Sequence, residues 1–262
     1  MPRSIPDRVL AGRNPIFRMA RYEGSSFYDD DEVFATYARH RAGAETANDT
    51  LDAPIIRELL GDVRHQDILD LGCGNAEFGR ELLAAGATSY TGVDGSRNMV
   101  AVAAKTLSLT PAKIIHAQLE EFDYPVAQYS RVCARLVFHY LARLEPIFGR
   151  IHKALRPGGL LVFSVEHPLL TAYEAPEDDA HPRENWIVDN YFDTGPRTTE
   201  WMGARVVKYH RTIEDHFLAL KKSGFTVDSV RESRPVRANF QNESTYLRAR
   251  RIPLFLFMAA SK

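Results

Sequence analysis

The chain has 262 residues, 45% of them hydrophobic and 26% charged, with a formal net charge of −1. That is ample for a core in one large domain, with or without an inserted lid, and it gives no overall field toward nucleic acid or an anionic membrane. The only cysteines, Cys73 and Cys133, are not at metal-ligand spacing and exclude a secreted disulfide framework.

Residues 1–26 carry three prolines and scattered arginines and read as an irregular arm. The segment 27–41 predicts a helix, with a partial apolar stripe through Phe27, Val33, Phe34, Tyr37 and Ala38 and acids at its start, where the helix dipole favours them. Asp52-Ala53-Pro54 predicts a helix opening, with Asp52 as cap, and that helix runs to Leu60 and stops at Gly61. A regular alternation then begins: strand 68–71, helix 76–85, strand 90–93, helix 97–107 capped by Ser96, strand 113–116, strand 129–134, helix 142–155, a turn at 156–159 and strand 160–165. Strands alternating with helices imply a parallel sheet covered on both faces, with ligands beyond the carboxyl ends of the strands. Residues 168–205 break the pattern with four prolines, both tryptophans and an acidic run, and this length predicts a lid or insertion. A helix over 213–222 follows, with a Thr212/Asp215 capping box and Gly224 as its stop. Strands 225–230 and 253–260 close the chain across an arginine-rich connection.

The stretch Ile68-Leu69-Asp70-Leu71-Gly72-Cys73-Gly74-Asn75-Ala76-Glu77-Phe78-Gly79 reads as strand, glycine turn and helix. Such a turn brings a ligand close to main-chain N–H groups at a helix start. The dinucleotide fingerprint G-x-G-x-x-G fails, because Glu77 occupies the third glycine position. Asp94 ends the next strand about twenty residues on, where a carboxylate can take both ribose hydroxyls of an adenosine ligand.

Asp70, Gly72 and Gly74 resemble the first motif of class I S-adenosylmethionine (SAM)-dependent methyltransferases, and Val93-Asp94-Gly95-Ser96 resembles the second. Leu155-Arg156-Pro157-Gly158-Gly159-Leu160 resembles the turn that family places before its fifth strand, and the closing antiparallel strand is a further family feature. The departure is Ala76, where many members carry glycine and a methyl would tighten the approach to the cofactor. The resemblance spans roughly residues 27–262 and implies a doubly wound, mostly parallel seven-stranded α/β sheet with an antiparallel last strand. It implies an N-terminal arm and cap helices over 1–60, then a SAM-binding domain over 61–262 with a lid insertion at 168–210. Within the family, Val165-Glu166-His167-Pro168 and Val207-Lys208-Tyr209-His210-Arg211-Thr212 resemble a bacterial small-molecule branch.

For the cofactor, the resemblance implies Asp70, Gly72, Gly74, Asp94, Gly95, Ser96 and Met99, with Gln118 and Leu119 toward the adenine amine. Tyr28, Tyr37 and Arg41 are expected near the methionyl end, or else as a helix capping the sheet edge. Arg135 has three candidate partners: the SAM carboxylate, Asp70 or an acid of the lid.

An activated sulfonium methyl needs an aligned nucleophile and, for some O–H or N–H acceptors, a base. His139, His167 and His210 are expected at the mouth; His167 or His139 is the candidate base, with Glu166 as orienting acceptor or substrate anchor. Trp186, Tyr191, Phe192 and Trp201 suit an aromatic wall around a flat acceptor. The arginines at 231, 234, 237, 248, 250 and 251 read either as an anion anchor or as a solvated basic loop paired with the acidic lid.

The Asn/Asp-Pro-Pro-aromatic tetrapeptide of adenine- and glutamine-modifying enzymes is absent. The expectation is therefore methyl transfer from SAM to an oxygen or nitrogen of a small aromatic or heterocyclic metabolite. The alternatives are a macromolecule (RNA or protein) methyltransferase and a non-catalytic SAM-binding partner subunit. No metal, nucleic-acid or membrane partner is expected, and the protein is expected as a monomer or homodimer. Residues 1–6 lack the apolar core of a secretion signal and no apolar run spans a bilayer, so a cytoplasmic location is expected.

Overall fold

The computed structural model describes residues 21–41, 43, 45–172 and 185–262. The first arm residues and the acids Glu174, Glu177, Asp178 and Asp179 lie outside the described residues. In chain order the elements are β1 (Arg21–Glu23), a 3-10 segment Gly24–Asp29, α1 (Asp31–Arg41), one π-helical turn Asn48–Asp52 and α2 (Ala53–Leu60). Next come β2 (Asp67–Leu71), α3 (Glu77–Ala84), β3 (Ser89–Asp94), α4 (Arg97–Thr106), β4 (Lys113–His116) and β5 (Tyr129–Arg135). Then follow a 3-10 turn Phe138–Tyr140, α5 (Glu145–Ala154), β6 (Leu155–Glu166), α6 (Pro168–Thr171), β7 (Gly195–Trp201) and β8 (Ala204–His210). The chain closes with α7 (Ile213–Lys222), β9 (Thr226–Glu232), α8 (Glu243–Ala249) and β10 (Phe255–Ser261).

Seven strands form one sheet in the order β4-β3-β2-β5-β6-β10-β9. The pairs from β4 to β6 are parallel, and β10 runs antiparallel to both β6 and β9. Two-residue alternation sends each strand to two cores. Leu69, Leu71, Val132, Leu161, Phe163 and Leu256 face α5 and α7, while Ile68, Cys133, Val162 and Phe257 face α2, α3, α4 and α8. Strands buried on both faces read as nearly continuous apolar runs, which is why the sequence shows them plainly.

Several expectations change. The helix over 27–41 splits, because Asp30 accepts the Glu32 and Val33 N–H groups (3.0 and 3.1 Å) and starts α1 later. Helix α5 starts at Glu145 rather than 142, after the 3-10 turn. Asp52 does not cap α2; its carboxylate turns inward to Arg135 and Ser164. The insertion contains the hairpin β7–β8, and β8 also pairs in parallel with β1, giving a second sheet in the order β1-β8-β7. A third core joins this sheet to the N-terminal segment through Phe27, Val33, Ala204 and Val206. The arginine-rich connection holds α8, whose Ala249 packs on the α2 side.

Candidate active site

At the carboxyl ends of β2, β3, β5 and β6 lies a cleft of about 620 Å³. Its floor is the turn after β2. Gly72 has φ +69°, and a Cβ there would stand 2.1 Å from Val137 Cγ2, so only glycine fits. The Gly72 N–H donates to the Val93 carbonyl (2.7 Å) and the Gly74 N–H to Asp94 Oδ2 (2.9 Å). Asp94 Oδ1 accepts the Ser96 N–H (2.9 Å), so one carboxylate clamps the turns after β2 and β3 together. Burial pushes the Asp94 carboxyl above its ordinary range, against the pull of these two amides.

Gly95 has no space for a side chain: a Cβ would meet Ser25 Oγ at 2.5 Å and Gln118 Oε1 at 2.6 Å. Ser25 and Gln118 are hydrogen-bonded to each other (3.0 Å) across that point. The N-terminal segment is tied down further where Ser96 Oγ donates to Asp29 Oδ1 (2.8 Å) and Asn98 Nδ2 to the Tyr28 carbonyl (3.1 Å).

Opposite, Tyr28, Tyr37, Tyr140 and Trp201 make an aromatic wall. Tyr28 meets Tyr37 edge-on at 5.0 Å, Trp201 lies 6.0 to 6.2 Å from both, and Trp201 stacks on Phe27 at 5.2 Å. Burial raises the phenols of Tyr28, Tyr37 and Tyr140, so all three stay protonated. Arg41 is held by Thr46 (2.6 Å) and Asp49 (3.3 Å) at one end of the cleft. Arg135 lies over the Phe78 ring (4.5 Å) and pairs with the wholly buried Asp52 at 2.7 Å. Among the described residues its ion-pair partner is thus Asp52 and not Asp70.

Glu166 lines the cleft and pairs with Lys208 of β8 at 2.5 Å. Burial would raise its carboxyl, yet the Lys208 ammonium and His139 hold it below the usual range. Lys208 also sits over the Trp201 ring (5.5 Å). His139 lines the cleft, and its Nδ1 accepts the Glu166 N–H at 3.3 Å. Burial lowers its pKa to about 4, so the ring is neutral at pH 7 and that hydrogen bond leaves its proton on Nε2.

Of the residues expected at the cofactor, Tyr28, Tyr37, Arg41, Gly72, Gly74, Asp94, Gly95, Met99, Gln118, Leu119 and Arg135 line one cleft. Asp70 and Ser96 do not: Asp70 sits under the turn bonded by the Tyr90 hydroxyl (2.7 Å), and Ser96 caps α4. Ala76 is also off the cleft, buried against the α3 core at φ +57°, so its methyl enters the core instead of crowding the cleft. His167 is off the cleft as well. Its Nδ1 accepts the Leu169 N–H (3.2 Å) and its Nε2 meets Glu232 (3.2 Å), so both nitrogens are engaged in holding α6 and β9. His210 is likewise engaged, by Thr171 and the Tyr191 carbonyl. From the insertion, Trp201 reaches the cleft, while Phe192 is 86% exposed. Arg231 pairs with Glu58 of α2 and Arg237 with Glu243 of α8, while the acids of the lid lie outside the described residues.

Sequence reasoning missed Ser25, Tyr140 and Lys208 at the site. A signal existed for Lys208: it takes an inward position of β8 beside Val206, where a lone lysine needs a buried partner. Leu136 is another signal, a non-glycine residue at φ +56° where β5 meets the cleft.

A family model described as a methyltransferase domain matches residues 68–159. An S-adenosylmethionine-dependent methyltransferase from Mesorhizobium loti is 32% identical, with a TM-score of 0.72 over 80% of this chain and 96% of that one. An uncharacterized Haemophilus influenzae protein is 28% identical across 90% of this chain and 97% of its own length. A phosphoethanolamine N-methyltransferase from Haemonchus contortus, solved with S-adenosyl-L-methionine, shares the fold at 17% identity, with a TM-score of 0.62 over 91% of this chain and 59% of that one. With a seven-stranded sheet of this order and a glycine turn clamped by the acid of the next strand, the chain belongs to the class I SAM-dependent methyltransferases, and SAM is its methyl donor.

Proposed function

We propose that this enzyme methylates an oxygen or nitrogen of a small, flat acceptor, aromatic or heterocyclic, held against the wall of Tyr28, Tyr37, Tyr140 and Trp201. The single observation that carries this is the aromatic enclosure next to the glycine turn, within one cleft of about 620 Å³. That size suits a cofactor plus a small ring, and a formal net charge of −1 gives no overall field toward nucleic acid.

The lining fits the cofactor end by end. Asp94 keeps free lone pairs on two oxygens for a pair of ribose hydroxyls, and Gln118 and Leu119 border the adenine side. Arg41 and Arg135 supply cations for the methionyl carboxylate, while tyrosine and tryptophan faces suit a sulfonium. When bound, SAM supplies the methyl cation equivalent, leaving as the neutral thioether. Glu166, kept ionised by Lys208, accepts a hydrogen bond from the acceptor's O–H or N–H and aims its lone pair. A depressed carboxyl pKa makes Glu166 an anchor and a weak base. His139, neutral with its proton on Nε2, acts as a donor beside it. The wall and the β7–β8 hairpin exclude water, which would otherwise compete for the aligned position.

The test is incubation with methyl-labelled SAM and a fractionated metabolite extract, with the labelled product identified by mass. Label on a flat small molecule at oxygen or nitrogen supports the reading. Label recovered only in RNA or protein overturns it. Glu166→Gln is expected to lower kcat/KM at least tenfold while leaving the affinity for S-adenosylhomocysteine unchanged.

A further inference from the structure

Beside the cleft lies a second, smaller pocket of about 270 Å³, and Ala142 and Tyr209 line both. Three cations face it: Arg143, Arg211 and Lys222. Arg211 is the unusual one. Its Nη2 donates to the Leu141 and Ala142 carbonyls (2.6 and 2.8 Å), the loop that walls the cleft, while its buried Nη1 has no partner among the described residues. Burial lowers its pKa, so the cation sits where water solvates it poorly. Neither Arg143 nor Lys222 has an ion-pair partner among the described residues. The pocket also holds Glu145 and Asp215, but Asp215 is engaged by the Thr212 N–H and hydroxyl (both 2.9 Å) as part of the α7 cap. His210, on the same wall, has both nitrogens occupied.

We propose that this pocket is an anion subsite for the far end of the methyl acceptor, taking a phosphate or carboxylate carried by the ring. This rests on the small-molecule reading of the cleft. An anion there gives Arg211 the partner its Nη1 lacks, and Ala142 and Tyr209, which line both pockets, set the two side by side, the acceptor reaching from one to the other. Guanidinium groups suit such planar or tetrahedral oxyanions through paired donors.

The test titrates inorganic phosphate and, separately, acetate into the protein saturated with S-adenosylhomocysteine. Ionic strength is held constant with chloride, and binding is read from the NMR signal of each anion. Saturable binding is expected, about tenfold weaker in Arg143→Gln/Lys222→Gln and weakened also in Arg211→Lys, which keeps the charge but loses the fork. Preference for phosphate assigns a phosphorylated acceptor; equal or better binding of acetate assigns a carboxylated one. No saturable binding, or binding unchanged in the double variant, overturns the subsite. Throughout, affinity for S-adenosylhomocysteine is expected to stay constant across the variants. If the wild type fails to bind it, the reading of the cleft itself fails, a separate result.

Discussion

The sharpest prediction concerns Asp52, which has no exposure and holds two partners inside the protein: Arg135 Nε at 2.7 Å and the Ser164 hydroxyl at 2.5 Å. Asp52→Ala removes both. Arg135, only 17% exposed, is then left with the Asn48 carbonyl at 3.5 Å and the face of Phe78 at 4.5 Å. Breaking a buried pair on one side costs about 3–5 kcal/mol, because the remaining charge keeps its desolvation penalty and loses its compensation. Against a typical total of about 5–15 kcal/mol, that is a large fraction. The double replacement Asp52→Leu/Arg135→Met removes both charges and is expected within about 2 kcal/mol of wild type, since apolar substitutes for buried pairs are often neutral. The assay is equilibrium urea unfolding of the wild type, Asp52→Leu, Arg135→Met and the double, closed as a thermodynamic cycle, with Asp52→Ala measured beside them. A coupling of at least about 2 kcal/mol is expected. An Asp52→Ala loss below about 1 kcal/mol, or additive singles, refutes the account. The stable double variant then isolates binding: losing a cation toward the methionyl carboxylate is expected to weaken S-adenosylhomocysteine at least about tenfold.

Three further outcomes are expected. Asp94→Asn puts an amide NH₂ against one of two N–H donors and is expected to weaken S-adenosylhomocysteine by about tenfold or more in calorimetry; unchanged affinity would show that the clamp does not shape the cofactor turn. Ala76→Gly relieves a left-handed residue (about 1–2 kcal/mol) but loses a buried methyl and gains chain entropy in the unfolded state. These offset, so a stability change beyond about 2 kcal/mol in either direction contradicts the balance. His139 carries a depressed pKa of about 4, so the unfolded state binds the proton first. Its contribution is fully present above the unfolded value of about 6.5 and is lost as pH falls toward 4, roughly 3 kcal/mol in all. His139→Gln is expected to flatten the fall in unfolding free energy between pH 6.5 and 4, and an unchanged slope would rule this out.

The parts of this fold that a reader of the sequence can find are those decided by neighbours in the chain. The Thr212/Asp215 box is reciprocal over three residues, and both bonds form (2.9 and 3.1 Å). Ser96 caps α4 for the same local reason, accepting the Met99 N–H at 3.2 Å. The turn after β2 needs a glycine at φ +69° whatever lies elsewhere, so its position was legible. The hairpin β7–β8 was not. Residues 195–201 read Gly-Pro-Arg-Thr-Thr-Glu-Trp, a mostly exposed edge with little apolar content, and it becomes a strand because β8 supplies its hydrogen bonds. Asp52 sits where a cap belongs, yet a buried cation from β5 outbids the helix N–H groups for its carboxylate.

The same distinction separates the two halves of the proposed active site. The cofactor half is one strand, one turn and the end of the next strand, so Gly72, Gly74, Asp94 and Gly95 come from a window of 24 residues and carry a local pattern. The proposed acceptor half is assembled from Tyr28, His139, Tyr140, Glu166, Trp201 and Lys208, residues on five separate elements. No spacing rule links them. Their meeting depends on β1 pairing with β8 (Glu23 opposite Val207) and on Phe27 stacking over Trp201 at 5.2 Å. A histidine such as His167 looks catalytic in the sequence because it follows a sheet strand, whereas the structure places it off the cleft with both nitrogens engaged. A changed wall residue alters ring contacts that neighbouring side chains can refill, while a changed Gly72 forces a Cβ into Val137. On the proposed function, acceptor choice depends on the β7–β8 hairpin, and exchanging that hairpin while keeping the N-terminal segment with Tyr37 and Arg41 should move specificity with little effect on the cofactor.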